Sequence, residues 1–371
     1  MRKLHVAVIG AGRLGSFHAQ KLARLDSVEL VAVVDPVESR RNRLAAECRT
    51  QALADYRPLL GQIDAAVVAA PSQLHHPIAL ELLNWGTHLL VEKPLCLTTA
   101  EADDLVKVAK RNGAVLQVGH VERFNPAIAP VLSLVERPKY IEAVRAGPFS
   151  FRSTDIGVVL DLMIHDLDLA LSMVRSRVRR IDALGLSVLG GHEDVANARL
   201  EFECGCVAAL SASRISDRPA RRMQVWSPQG FAAIDFAACR TTLVRPSESL
   251  LRRELKIDAI AAGDAPNRDD VLQEHLRREE IDFAPVDALA LELDDFVQSI
   301  RGSRPPRVTG EAGRDAVALA ERILERIQAH AWDEQTDGPV GAMATARPSV
   351  IPAPHFKLAP APFSMPRREA G

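Results

Sequence analysis

Through its first 120 residues the chain alternates short apolar, β-branched runs with stretches whose apolar positions recur every three or four residues. The runs are HVAVIG (5–10), ELVAVVD (29–35), AAVVAA (65–70), HLLVE (88–92) and AVLQVG (114–119). Strand and helix in alternation predict a parallel sheet covered on both faces. Thr98 and Glu101 form a capping-box signature, since a hydroxyl and a carboxylate at that spacing satisfy the orphan amides of a first turn. The helix they open is closed by Gly113.

From Tyr140 the pattern changes. One helix is predicted over Gly157 to Met173, and strand candidates then follow in succession: RRIDALGLSVL (179–189), VANARLEFE (195–203), CVAALSASRI (206–215), RRMQVWS (221–227) and FAAIDFA (231–237). Strands without intervening helices predict an antiparallel sheet. Residues 245–285 are charged and weakly patterned, so loop and short helix are expected there. Two helical patterns follow, DALALELDDFVQSIRG (287–302) and EAGRDAVALAERILERIQAH (311–330). The predicted organisation is a doubly wound α/β domain over 1–122, an α+β domain with an open, mostly antiparallel sheet over 123–332, and a Pro/Ala-rich, disordered tail over 333–371.

Composition narrows the function classes. At 371 residues, 47% hydrophobic and 25% charged with a formal net charge of -2, the chain reads as a soluble two-domain protein. Neither nucleic acid nor membrane is an expected partner. Five cysteines without a C-x-x-C pair, and an N-terminus that runs directly into a strand, predict a cytoplasmic protein with reduced thiols.

The first candidate chemistry is G-x-G-x-x-G at Gly10, Gly12 and Gly15, between a strand and a helix pattern, with Asp35 closing the next strand. In that context Gly10 makes the turn, Gly12 admits a pyrophosphate to the backbone, Gly15 lets helix and strand approach, and the helix N-terminus faces the anion. The loop is read as dinucleotide-binding. Asp35 can accept from both ribose hydroxyls and repels a 2′-phosphate, which favours NAD over NADP. Arg40 and Arg41 could grip that phosphate or be solvated.

The second is GVVLDLMIHDLDLALSM (157–173), an apolar helix carrying Asp161, His165 and Asp168 at spacings of four and three along one face. Alone it fits a structural Asp–His pair, a functional pair or, last, a divalent-ion site; no metal is expected, because no further His or Cys cluster accompanies it. VEKPL (91–95) lies where ligands bind in open α/β sheets, and a cis bond at Pro94 would aim Lys93 into the crevice. APSQLHHPIALELL (70–83) starts at a strand end, where Ser72 and His75 could face a cofactor or simply cap a helix.

In order, these motifs (G-x-G-x-x-G, P-S-x-x-H from Pro71, E-K-P at Glu92 to Pro94, and Gly157-x-x-x-Asp161-x-x-x-His165) resemble the Gfo/Idh/MocA family of sugar and cyclitol oxidoreductases over residues 4–330. The resemblance implies an N-terminal Rossmann domain, and a second domain whose sheet joins subunits into a homo-oligomer, dimer or tetramer. It implies a catalytic set of Lys93, Asp161 and His165. It implies cofactor contacts from Gly10, Gly12, Arg13, Leu14, Gly15, Asp35, Ala70, Ser72, His75, Glu92, Lys93 and Asn125. QVGHVERFNPAI (117–128) and DLMIHDLDL (161–169) are most similar to the nucleotide-sugar 3-dehydrogenases acting on UDP-N-acetylglucosamine, which would put Arg123, with Asp161 and His165, at the substrate. Oxidation of a secondary hydroxyl then needs a base, which histidine suits near neutral pH, and a cation for the developing alkoxide. His165 and Lys93 are assigned those roles, with Asp161 orienting; Lys93 as proton acceptor stays open. The alternatives are a free-sugar or inositol dehydrogenase and a non-catalytic cofactor-sensing regulator.

Overall fold

The computed structural model describes residues 2–150, 155–189, 191–254, 273–284 and 286–330. The tail expected over 333–371 lies outside them.

Strands β1 (Leu4–Ile9), β2 (Val28–Val34), β3 (Gln51–Leu53), β4 (Ala65–Val68), β5 (His88–Glu92) and β6 (Leu116–Gly119) form a parallel sheet in the order β3-β2-β1-β4-β5-β6. The switch in strand direction of travel at β1 opens the ligand crevice of a doubly wound fold. Helices α1 (Arg13–Leu22), α2 (Glu38–Cys48), α3 (His75–Asn84) and α4 (Thr99–Arg111) supply the crossovers. The two-residue alternation of β1 sorts its side chains: Val6 and Val8 pack with Ala19, Leu22 and Leu44, whereas Ala7 and Ile9 join the core formed with Ala79, Leu82 and Leu105. The capping box at α4 is present, with Thr98 accepting from the Glu101 amide and Glu101 returning to the Thr98 amide.

A short α5 (Ala129–Leu134) leads to β7 (Tyr140–Ala146), and a π-helical turn at Val159–Met163 runs into α6 (Ile164–Val174). Strands β8 (Val178–Leu186), β9 (Val195–Phe202), β10 (Val207–Ser213), β11 (Ala220–Ser227), β12 (Gly230–Asp235) and β13 (Arg240–Pro246), then α7 (Glu248–Leu251) and β14 (Leu276–Asp282), complete the second layer. Its eight strands run β14-β13-β12-β11-β7-β10-β9-β8, antiparallel except where β7 meets β10. Helices α8 (Ala288–Gly302) and α9 (Gly310–Ala329) close the described chain.

Three expectations are corrected. Within 245–285, Leu276–Asp282 is a strand and not loop; it is a charged edge, LRREEID, almost wholly exposed, so it shows no apolar alternation. The helix expected over 157–173 begins with a π turn. The boundary at 122/123 assigns α8 to the second domain, yet Leu293, Phe296 and Val297 complete the core beneath α1 and α2.

The glycine loop shows why its residues are fixed. A Cβ at Gly15 would stand 1.7 Å from the Gly10 carbonyl oxygen, whereas one at Gly12 would meet nothing within 4 Å. Gly15→Ala should therefore cost about 1–3 kcal/mol of stability, read as a lower Tm, while Gly12→Ala leaves Tm unchanged. Equal melting temperatures would contradict this packing.

Candidate active site

A crevice of about 940 Å³ runs from the glycine loop to β11. At one end Gly12 is the N-cap of α1 and offers no side-chain cap, so the first-turn amides remain available to an anion. Asp35 is buried, accepting from the Ala11 and Val37 amides at 2.8 Å each. Arg13, Leu14, Ala70 and Arg40 line the same end, whereas Arg41 donates to the Pro36 carbonyl at 3.0 Å. An uncapped helix start over open space fits a dinucleotide pyrophosphate.

At the centre, β5 delivers Lys93, whose bond to Pro94 is cis. Its Nζ donates to Asp161 Oδ1 at 2.8 Å and to the Asp161 carbonyl at 2.6 Å. Asp161 lies within the π turn, which shifts the local hydrogen bonding by one residue. Glu193 anchors the turn by accepting from the Val159 amide at 3.0 Å. A Cβ at Gly157 would lie 2.0 Å from the Glu193 carboxylate, so a larger residue would have to displace that carboxylate.

His165 follows Asp161 by four residues and lines the crevice. Its Nδ1 is enclosed and makes no hydrogen bond among the described residues. The ring meets His120 edge-on at 5.9 Å between centroids. Burial, and then the positive charges of Lys93 and Arg145, push its pKa well below the ordinary histidine value. It therefore stands as a neutral proton acceptor beside a cation.

Other expected residues have structural partners. His75 is buried, with its ring nitrogens 2.8 Å from the Pro94 and Ala70 carbonyls, tying two crevice loops together. Ser72 sits half-buried in the turn before α3. Glu92 is buried against His18 at 2.7 Å, and Glu292 of α8 lies beside that pair. Burial, and then the Glu92 charge, push the Glu292 carboxyl well up, so it is held neutral.

Arg123 and Asn125 depart from expectation. Arg123 makes a two-pronged pair with Asp168 at 2.6 and 2.9 Å and does not line the crevice. Asn125 caps the Ala127 amide at 3.1 Å and donates to the Phe236 carbonyl at 3.4 Å, and is not among the residues lining the crevice. Asp168 is accordingly engaged by Arg123. The sequence reading missed Glu193, His120 and Arg145, the last buried between Glu122 at 2.8 Å and Asp166 at 3.0 Å. An arginine alternating with Ile141 and Ala143 on β7 was the available signal.

A family model described as "Oxidoreductase family, NAD-binding Rossmann fold" matches residues 4–120, and one for the "GFO/IDH/MocA C-terminal domain" matches residues 138–232. The chain belongs to the Gfo/Idh/MocA oxidoreductase family. A UDP-N-acetylglucosamine 3-dehydrogenase of Acidithiobacillus ferrooxidans is 36% identical over 330 residues, covering 89% of this chain and 99% of that protein. Its solved structure superposes with a TM-score of 0.77 at 34% identity, over 89% of this chain and 99% of that one. A myo-inositol 2-dehydrogenase of Thermotoga maritima is 26% identical, covering 87% of this chain and 96% of that protein. As in other Gfo/Idh/MocA members, the chemistry is a dehydrogenase's.

The neutral His165 makes a directional prediction. The acid limb of kcat/KM for oxidation should fall below pH about 6.5, because a base with a lowered pKa stays deprotonated until the pH drops past it. His165→Ala should lose that limb and about 10²–10⁴-fold in kcat, and Lys93→Ala a comparable factor, with dinucleotide binding kept. An acid limb above ordinary histidine values would exclude His165 as the base.

Proposed function

We propose that the protein oxidises the 3-hydroxyl of UDP-N-acetylglucosamine to the 3-keto sugar with NAD⁺. The observation that carries this is the crevice itself, which His165 as a neutral base and Lys93 as a cation line together with an anion-binding helix start and the cation of Arg221. The bound nicotinamide supplies the hydride acceptor. Lys93 holds the hydroxyl oxygen and stabilises the charge that develops there as the C–H bond breaks. His165 takes the hydroxyl proton at Nε2. Asp161 fixes the Lys93 ammonium through its backbone carbonyl and one carboxylate oxygen, so the cation is positioned before substrate arrives.

The similarity to the Acidithiobacillus enzyme over nearly its full length supports the nucleotide-sugar substrate. Asp35 supports NAD, since a buried carboxylate at the end of β2 repels a 2′-phosphate. We place the enzyme in the cytoplasm as a homo-oligomer formed through the second sheet. The face of that sheet away from the helices carries a cross-strand row of half-buried apolar residues, Val207, Tyr140, Trp226, Phe231 and Val244, with Trp226 stacked 5.1 Å from Tyr140 and 4.9 Å from Phe231.

The test measures NADH formed from UDP-N-acetylglucosamine, free N-acetylglucosamine and inositol, with an aminotransferase coupled to draw off the keto product. Turnover of the nucleotide sugar alone is expected; turnover of inositol or free sugar without it would favour the other dehydrogenases. In the same assay Asp35→Ser should move the NADP-to-NAD ratio of kcat/KM toward NADP by roughly tenfold or more. Light scattering on the purified protein should give a multiple of the chain mass, and Trp226→Arg should reduce it. A monomeric wild type would overturn the oligomer.

A further inference from the structure

The inward face of β11 ends in a cation, Arg221. Val225 and Met223 are fully buried on that face, and Arg221, next in the two-residue alternation, lines the crevice. The other guanidiniums of this region are committed. Arg145 is held by Glu122 and Asp166, Arg123 by Asp168, and Arg214 by Asp194 Oδ1 at 2.6 Å and the Ile156 carbonyl at 2.8 Å. Arg218 pairs with its neighbour Asp217, and Arg222 points to the outer face of the sheet. Arg221 remains exposed, with no ion pair or side-chain hydrogen bond among the described residues.

We propose that Arg221 is the phosphate anchor of the substrate site, gripping the diphosphate of a nucleotide-activated sugar while the sugar ring lies over Lys93 and His165. The inference rests on the substrate class proposed above. A guanidinium presents paired donors matched to phosphate oxygens, and an unpaired one in a crevice has most to gain from a dianionic ligand. A neutral sugar or cyclitol offers it nothing comparable. Its charge also bears on His165, which lines the same crevice.

The experiment compares wild type with Arg221→Met and Arg221→Lys. Both substitutions are at an exposed position, and their folding is checked by circular dichroism. Arg221→Met should lower kcat/KM for UDP-N-acetylglucosamine roughly ten- to hundred-fold, with the loss in KM and not in kcat, and Arg221→Lys should recover part of it. The Kd for NAD should not follow. A KM for the nucleotide sugar within twofold of wild type in Arg221→Met would overturn the proposal. A wild-type enzyme that ignores UDP-N-acetylglucosamine overturns the substrate reading instead. Calorimetric titration with UDP alone then decides Arg221: weaker UDP binding by Arg221→Met supports the anchor, and equal binding, or none by either protein, rejects it.

Discussion

Lys93 stands at the end of a parallel strand, and its ammonium is held by two oxygens of Asp161, on a turn belonging to the other layer. That contact fixes the site. The parallel sheet can place a side chain at its carboxyl edge but cannot choose where the side chain points. The partner supplies the direction. It can do so because Glu193, in the loop before β9, holds the start of that turn. Gly157 is the accommodation that makes room for Glu193.

Behind this contact the protein has buried several charges in ion pairs. Arg145 lies between Glu122 and Asp166, where burial alone would weaken its cation but the two carboxylates retain it. Removing one partner of such a pair typically costs about 3–5 kcal/mol, since it strands a charge in a medium that solvates it poorly. The committed arginines are thus wall, and only a cation left without such a partner is free to meet an anionic ligand. The same low polarity keeps His165 neutral, which suits a proton acceptor placed close to a lysine.

The two layers are also stitched by the order of the chain. Having built the second sheet, the chain returns: α8 seals the first sheet beneath α1, and α9 lies against α4, α6 and β8. Gln117 of β6 donates to the Glu292 carbonyl of α8 at 2.9 Å, so a strand near the crevice is bonded to the returning helix. The crevice floor and the catalytic helix are therefore held by elements distant in sequence, and a shift in either would be felt at Lys93.

By itself the sequence determined the alternating strands and helices of the first layer, the glycine loop with Asp35 after it, the capping box at Thr98, and the family. Each of these is local: a two- or four-residue period, a turn, or a motif within one crossover leaves its mark on neighbouring residues. The Lys93, Asp161 and His165 set was legible through motif order, although the segments lie far apart. Only the tertiary structure decided that Arg123 turns to Asp168 and Asn125 to Phe236, because an arginine in a motif looks the same whether its partner is a ligand or a buried carboxylate. It also decided that LRREEID is an edge strand and that α8 belongs with the first sheet. A charged edge strand takes its structure from its neighbour's hydrogen bonds, and an amphipathic helix carries in its own sequence no record of which apolar surface it will cover.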